Sequence, residues 1–170
     1  MSFRALVYLL LRQKKRMIEA FLILYALFHI HMQVFSQEEE MRTDILEQVN
    51  KVRKEGCICG NEKMPPAGEL TWNDKLERAA IGHVNDMFTN ENLSHTGSDG
   101  SSLSDRAEKE GYRWFLIGEN ISWGYLTALE VVEGWKASPG HCMNMMNGKY
   151  TEMGAARKGT YWVLDLGDGK

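Results

Sequence analysis

Apolar residues are laid out along this chain in three patterns. The first is an unbroken run from Ala20 to Phe28, extended less purely to Phe35. The second is a stripe at helical spacing: Leu76, Ala79, Ala80, His83, Val84 and Met87 share one face behind Asn73, a good helix cap. The third is a pair of short runs, Met153 to Ala156 and Tyr161 to Leu166, joined by Arg157-Lys158-Gly159-Thr160, which reads as a hairpin. Weaker helical patterns lie between. Asp44 to Lys54 predicts a helix with Ile45, Val49 and Val52 facing inward and Thr43 as its cap. Leu103 to Glu110 predicts a short helix stopped by Gly111. Thr127-Ala128-Leu129-Glu130 is a capping box, opening a helix whose Leu129, Val132 and Trp135 face inward and which Pro139-Gly140 ends. Gly56 to Gly68 and Phe88 to Gly100 read as loops. Helices come first and strands late, so the class is α+β.

The first apolar run changes its meaning when its flanks are read. Arg12-Gln13-Lys14-Lys15-Arg16 precedes it, and Val34-Phe35-Ser36 closes it ahead of Gln37 and three glutamates. That order is the grammar of a signal peptide cut after Ser36, with an uncleaved membrane anchor as the alternative. Residues 1–36 are therefore a targeting segment, 37–43 a solvated lead-in and 44–170 one domain. The formal charge of the whole chain is −3. Residues 1–36 hold five of the 20 bases and one of the 23 acids, leaving 15 bases against 22 acids, a net of −7. An acidic domain without a basic run argues against nucleic acid as a partner and against adhesion to anionic lipid. A monomer is expected, touching membrane only through its N-terminal segment if that segment is retained.

Candidate chemistry gathers in three stretches. Ser94-His95-Thr96-Gly97 lies in a polar loop, Gly118-Glu119-Asn120 in an aromatic and β-branched segment, and Gly140-His141-Cys142 after the broken helix. Two imidazoles and a carboxylate can hold zinc with an open fourth position, or the carboxylate can orient one imidazole by accepting its N–H. A purely structural hydrogen-bonded cluster is the third alternative. His83, inside its apolar stripe, reads as a core histidine bonded to backbone and stays out of the site. Ser94, Ser122 and Ser138 lie near these stretches, but small hydroxyl residues in loops serve mainly as caps and turns. No nucleophile stands out, so binding is expected rather than turnover. Three cysteines in an exported chain predict one disulfide and one leftover thiol; Cys57 and Cys59 are too close together to be the natural pair, and either can partner Cys142.

In order and spacing, the three stretches resemble the cysteine-rich secretory, antigen 5 and pathogenesis-related superfamily, the CAP or SCP domain, and most closely its bacterial extracellular branch. The resemblance covers roughly Ile45 to Leu166. It implies an α-β-α sandwich with a central antiparallel sheet flanked by helices, in a secreted or cell-envelope protein. It also implies a cleft lined by His95, Glu119, Ser138 and His141 for a small-molecule, lipid or peptide ligand. Zinc or another divalent cation would be held there by His95, His141 and Glu119, and a metal-assisted hydrolase or an interaction domain are the alternative functions it leaves. If there is catalysis, the same His95, Glu119 and His141 are its candidates. Plant and animal members carry a second glutamate three residues after the helix tryptophan; here that place is Ser138, and Glu133, the nearest acid, points elsewhere. The resemblance also pairs Cys59 with Cys142 and leaves Cys57 free.

Overall fold

Strand residues alternate between two faces of a sheet, and the last strand of this chain uses both. On it Trp162, Leu164 and Leu166 join one buried cluster, while Val163 joins another. A strand buried on both faces needs cover on both, and the helices supply it. The computed structural model describes the backbone of residues 3–170 and the side chains of residues 16–19, 21–33 and 36–170. The basic residues Arg12, Lys14 and Lys15, and Val34-Phe35 of the cleavage motif, lie outside the described side chains.

Two units are distinguished, Met1–Glu40 and Met41–Lys170. The first belongs to helix α1 (Phe3–Glu55), with Phe21, Leu24, Leu27 and Phe28 exposed. From Arg16 onward this helix is long and apolar enough to cross a membrane, with a window of mean hydropathy 1.6. The expected cap at Thr43 is absent, because α1 does not start there. Residues 37–43 are helical too: they are Gln, Glu, Met, Arg and Thr without Gly or Pro, and nothing in them stops a helix.

In the second unit, Ile45, Val49 and Val52 of α1 enter the larger core as expected. After α1 the loop from Gly56 folds into a small hairpin, β1 (Cys57–Cys59) and β2 (Glu62–Met64), turned at Gly60 with φ 64°. Strand β3 (Thr71–Trp72) leads to α2 (Asp74–Thr89), and Asn73 caps it by accepting from the Lys75 and Leu76 amides. All six residues of the α2 stripe are buried. Helix α3 (Leu103–Lys109), strand β4 (Trp114–Trp123) and helix α4 (Ala128–Ala137) follow. Thr127 and Glu130 close the expected capping box. On α4 the buried face is Ala128, Val131, Val132 and Trp135; Leu129, expected inside, is 55% exposed, since the inward stripe is set one residue earlier. Pro139 does end α4, and it also opens α5 (Pro139–Met145), where its missing N–H costs nothing. The chain closes on β5 (Glu152–Lys158) and β6 (Tyr161–Gly169). Arg157 and Lys158 extend β5, pairing with Trp162 and Tyr161, so the hairpin loop is only Gly159-Thr160.

The sheet order is β3-β5-β6-β4, antiparallel apart from the two-residue β3, which runs parallel to β5. One face carries α1, α4 and α5 over Met153, Ala155, Trp162, Leu164 and Leu166. The other carries α2, with Ala80, Val84 and Met87 over Ile121, Ala156 and Val163. This is the α-β-α sandwich. Gly154 allows it to be thin: a Cβ there would overlap the α2 backbone at Leu76 and Glu77.

Arg53 is fully buried in the first core, with no carboxylate partner among the described residues. Its Nε donates to Gly68 O at 2.7 Å, Nη1 to Met145 O at 2.7 Å and Asn147 O at 3.0 Å, and Nη2 to Tyr150 O at 3.2 Å. Burial lowers its pKa from the ordinary arginine value. Arg53→Met keeps the volume but strands four carbonyls. It should lower stability by roughly 3 kcal/mol or more, read from chemical denaturation of the full chain. Arg53→Lys should recover only part of this, since a single ammonium cannot span the same four acceptors.

Candidate functional site

Strand β4 is the edge strand, so side chains from both layers can meet beside it. Glu119 shares the sheet face of Ile121, under α2 and the loop that follows it; Asn120 looks the opposite way, toward α5. The loop between α2 and α3 is tied down at several points. The Ser98 amide and hydroxyl both donate to Asp86, and Gly97 N donates to Ser101 O. Arg106 on α3, more than nine-tenths buried, donates through Nη1 to the carbonyls of His95 and Ser101. The loop is thereby fixed where it presents His95.

His95 and Glu119 meet directly. Nδ1 of His95 lies 2.7 Å from Glu119 Oε1, and Arg106 Nη2 lies 2.6 Å from Oε2. A carboxylate only accepts, so Nδ1 carries the proton and Nε2 is left for solvent or a ligand. The Glu119 side chain is 3% exposed, the His95 side chain 58%. The hydrogen bond to Glu119 raises the His95 pKa, against the opposing effects of partial burial and of Arg106. His83 is buried as expected, with Nε2 donating to Ser94 O at 2.8 Å. It also stands 3.8 Å from Glu119 Oε2, underneath the site. Desolvation lowers its pKa and keeps it neutral.

Asp165, paired with Glu119 in the β4–β6 register, is fully buried. Neither of its oxygens has a donor as an ionised carboxylate. Burial, and then the charge of Glu119, push its pKa well up, so Asp165 is held as a neutral acid whose hydroxyl can donate to Glu119. The site thus has one buried carboxylate, not two.

His141 arrives from the other layer on α5. Its carbonyl accepts from Asn120 Nδ2 at 3.0 Å. Asn144, one helical turn along, donates to Glu119 O at 3.2 Å and Asn120 Oδ1 at 3.0 Å, and accepts from the Tyr150 hydroxyl at 3.0 Å. Partial burial lowers the His141 pKa, and the nearby His95 lowers it further. Ser138 lies at the α4–α5 junction, half-buried, and its side chain makes no cap hydrogen bond. Glu133 pairs with Lys136 on α4, and both act on Cys57 rather than on the histidines. Cys59 and Cys142 form a disulfide, with Cys57 free beside it.

The donor set fits a metal ion only in part. Both Glu119 oxygens are engaged, by His95 and Arg106, which leaves two imidazoles. Among the described residues, the group of three such side chains with donor atoms all within 4.8 Å of one another is Cys57, Cys59 and Cys142, and two of those sulfurs are bonded together. His95, Glu119 and His141 do not make a group of that kind. A cavity of about 390 Å³ lies behind the site, between α2, α3 and their loop, with His83 and Arg106 in its lining.

Sequence reasoning missed Arg106 and Asp165. Asp165 did leave a signal: a lone acid inside Trp162-Val163-Leu164-Asp165-Leu166 sits in a strand whose every neighbour is apolar. Arg106 left none, because an arginine in a short polar helix normally faces water.

A family model described as the cysteine-rich secretory protein family, CAP, matches residues 46–165. The membrane protein YlbC of Bacillus subtilis is 34% identical over 98 residues, 58% of this chain and 28% of that protein. An extracellular protein containing an SCP domain from Bacillus anthracis superposes with a TM-score of 0.67 at 25% identity, over 76% of this chain and 40% of that one. An outer surface protein of Borrelia burgdorferi gives 0.61 at 22% identity, over 74% and 90%, a likeness of fold. The chain spans less than a third of YlbC. With the α-β-α layers and the His95–Glu119 pair in place, this chain belongs to the cysteine-rich secretory protein (CAP) family.

Proposed function

We propose that this chain is an extracytoplasmic binding domain, exported or retained at the cell envelope by its N-terminal segment. His95 is the polar anchor for a small envelope-derived ligand. The observation that carries this reading is the ordering of His95: an exposed imidazole fixed through Nδ1 by a nearly buried carboxylate that Arg106 holds in turn. Only Nε2 faces outward. With its pKa raised, His95 carries a second proton over a wider pH range than a free histidine, so Nε2–H suits a carboxylate, phosphate or carbonyl on the ligand. His141, held toward the neutral form, supplies a second polar contact that can accept.

Turnover is the weaker reading. Among the described residues no hydroxyl or thiol is hydrogen-bonded to the ring of His95 or His141, and Ser94 Oγ instead accepts from the Thr96 amide. A divalent ion bound by the two imidazoles would be held weakly and stripped readily by chelator, because Glu119 is already engaged. Such binding would weaken as pH falls and the imidazoles protonate.

Native mass spectrometry of the full chain purified from its own host should show a co-purified ligand. His95→Ala should reduce its occupancy, with affinity falling about tenfold or more for a lost charge-assisted hydrogen bond. Unchanged occupancy in a folded variant would remove His95 from the site. NMR titration should place the His95 pKa above about 6.5, the free value, and His141 below it. In Glu119→Gln the His95 value should fall. The sign for stability follows: the His95–Glu119 contribution is complete below the unfolded pKa and is lost as pH rises through the raised folded one.

A further inference from the structure

Cys57 and Cys59 are two apart on β1, so their side chains leave the strand on the same side. Cys59 is bonded to Cys142 of α5, and this brings Cys57 against the bond. Cys57 Sγ lies 3.4 Å from Cys142 Sγ and 3.7 Å from Cys59 Sγ. The two bonded residues are closed to solvent, Cys142 at 0% and Cys59 at 2% exposure. Cys57 is half-buried and is the one sulfur of the three open to water. Exchange between a thiol and a disulfide requires a thiolate in contact with a disulfide sulfur, and here the contact is built into the fold.

We propose that Cys57 is an exchange thiol, which passes the disulfide between Cys59–Cys142 and Cys57–Cys142. Cys57 loses its proton to solvent, and its Sγ lone pair forms a bond to Cys142 Sγ. The Cys59–Cys142 bond breaks with its electron pair on Cys59 Sγ, which takes a proton from solvent. One thiol and one disulfide stand on each side of the step, so no oxidant or reductant is consumed. The two sulfur distances are nearly equal, so Cys57 stands beside the bond and must rotate to attack along its axis. Its partial exposure leaves room for that rotation. Chain length favours neither pairing: the sequence separations are 85 and 83 residues, for which loop-closure entropy is the same.

The surroundings restrain the step without forbidding it. Burial raises the Cys57 pKa; of the charges acting on it, both from α4, Lys136 favours the thiolate and Glu133 opposes it. From α5 it meets Cys142, and across the β1–β2 ladder it is paired with Met64. In either pairing α5 stays tethered to β1, so His141 keeps its anchor while the free thiol changes place. The inference is independent of what the His95 site binds.

The test is thiol mapping of the full chain, kept without reductant in mildly alkaline buffer. Samples are quenched in acid at intervals, labelled with N-ethylmaleimide in denaturant and digested without reduction. Label on Cys59, and a Cys57–Cys142 linked peptide, should grow together to a steady fraction, at a rate independent of protein concentration. In Cys57→Ser, Cys59 should stay unlabelled. Label confined to Cys57 at all times overturns the proposal, as does a rate proportional to concentration, which marks scrambling between molecules. Cys59→Ser gives a second reading: it should be recovered folded, by circular dichroism, with Cys57 and Cys142 joined. Folded protein with both thiols free counts against the proposal. The wild-type mapping does not depend on that variant folding.

Discussion

A buried positive charge without a negative partner is the constraint on which the larger core depends. Removing a guanidinium from water costs several kcal/mol, and only strong hydrogen bonds offset it. Arg53 meets the cost with four carbonyl oxygens, drawn from the Gly68 loop, the end of α5 and the turn before β5. Three of those carbonyls come from the short stretch Met145 to Tyr150 and the fourth, Gly68, from a distant loop, and the cation joins the two. Arg53 therefore does more than fill space: it sets where α5 ends. The disulfide fixes α5 from a second side and the Asn120–Asn144 bonds from a third. His141 inherits its position from all three.

On the opposite face of the sheet a second buried arginine has a different set of partners. Arg106 has a carboxylate, Glu119, and two loop carbonyls. Beside this guanidinium stand two acids: Glu119 touches Arg106 and His95, while burial, and then the charge of Glu119, push the pKa of Asp165, sealed in the sheet, well up. The exposed histidine thus rests on a stack of charged groups that are almost wholly shielded from solvent. A substitution at Arg106 would reach a ligand both through Glu119 and through the loop that presents His95.

Much of this was legible in the chain. The α2 stripe and its Asn73 cap, the capping box at Thr127 and the late hairpin each depend on local periodicity, and local periodicity survives folding. The errors came where local signals fall silent. Thr43 looked like a cap because a cap residue precedes an apolar pattern, yet nothing before it breaks the helix. Leu129 was assigned inward on spacing alone, and two neighbouring stripes on α4 differ by one residue. His95 and Glu119 were legible as site candidates because each stands beside small residues in a recognisable order. That the carboxylate orients an imidazole by accepting its N–H stood among the alternatives, but which imidazole it meets was not legible, since that depends on how far the α2–α3 loop reaches. The two buried arginines were invisible for a related reason: all of the partners of Arg53 and two of those of Arg106 are backbone carbonyls, which every residue has.

Strand β4 lies at an open edge of the sheet, and open edges invite another strand to pair with them. Here two of the strand's carbonyls are already taken. Glu119 O accepts from Asn144, and Ile121 O, two residues on, accepts from the Trp135 indole at 3.3 Å. Both donors are side chains of the helices beside the strand, so a neighbouring molecule finds neither acceptor free. Contacts that place the candidate site therefore also occupy main-chain acceptors of the edge strand: the residue that seats α5 on the strand satisfies a carbonyl that would otherwise need another donor.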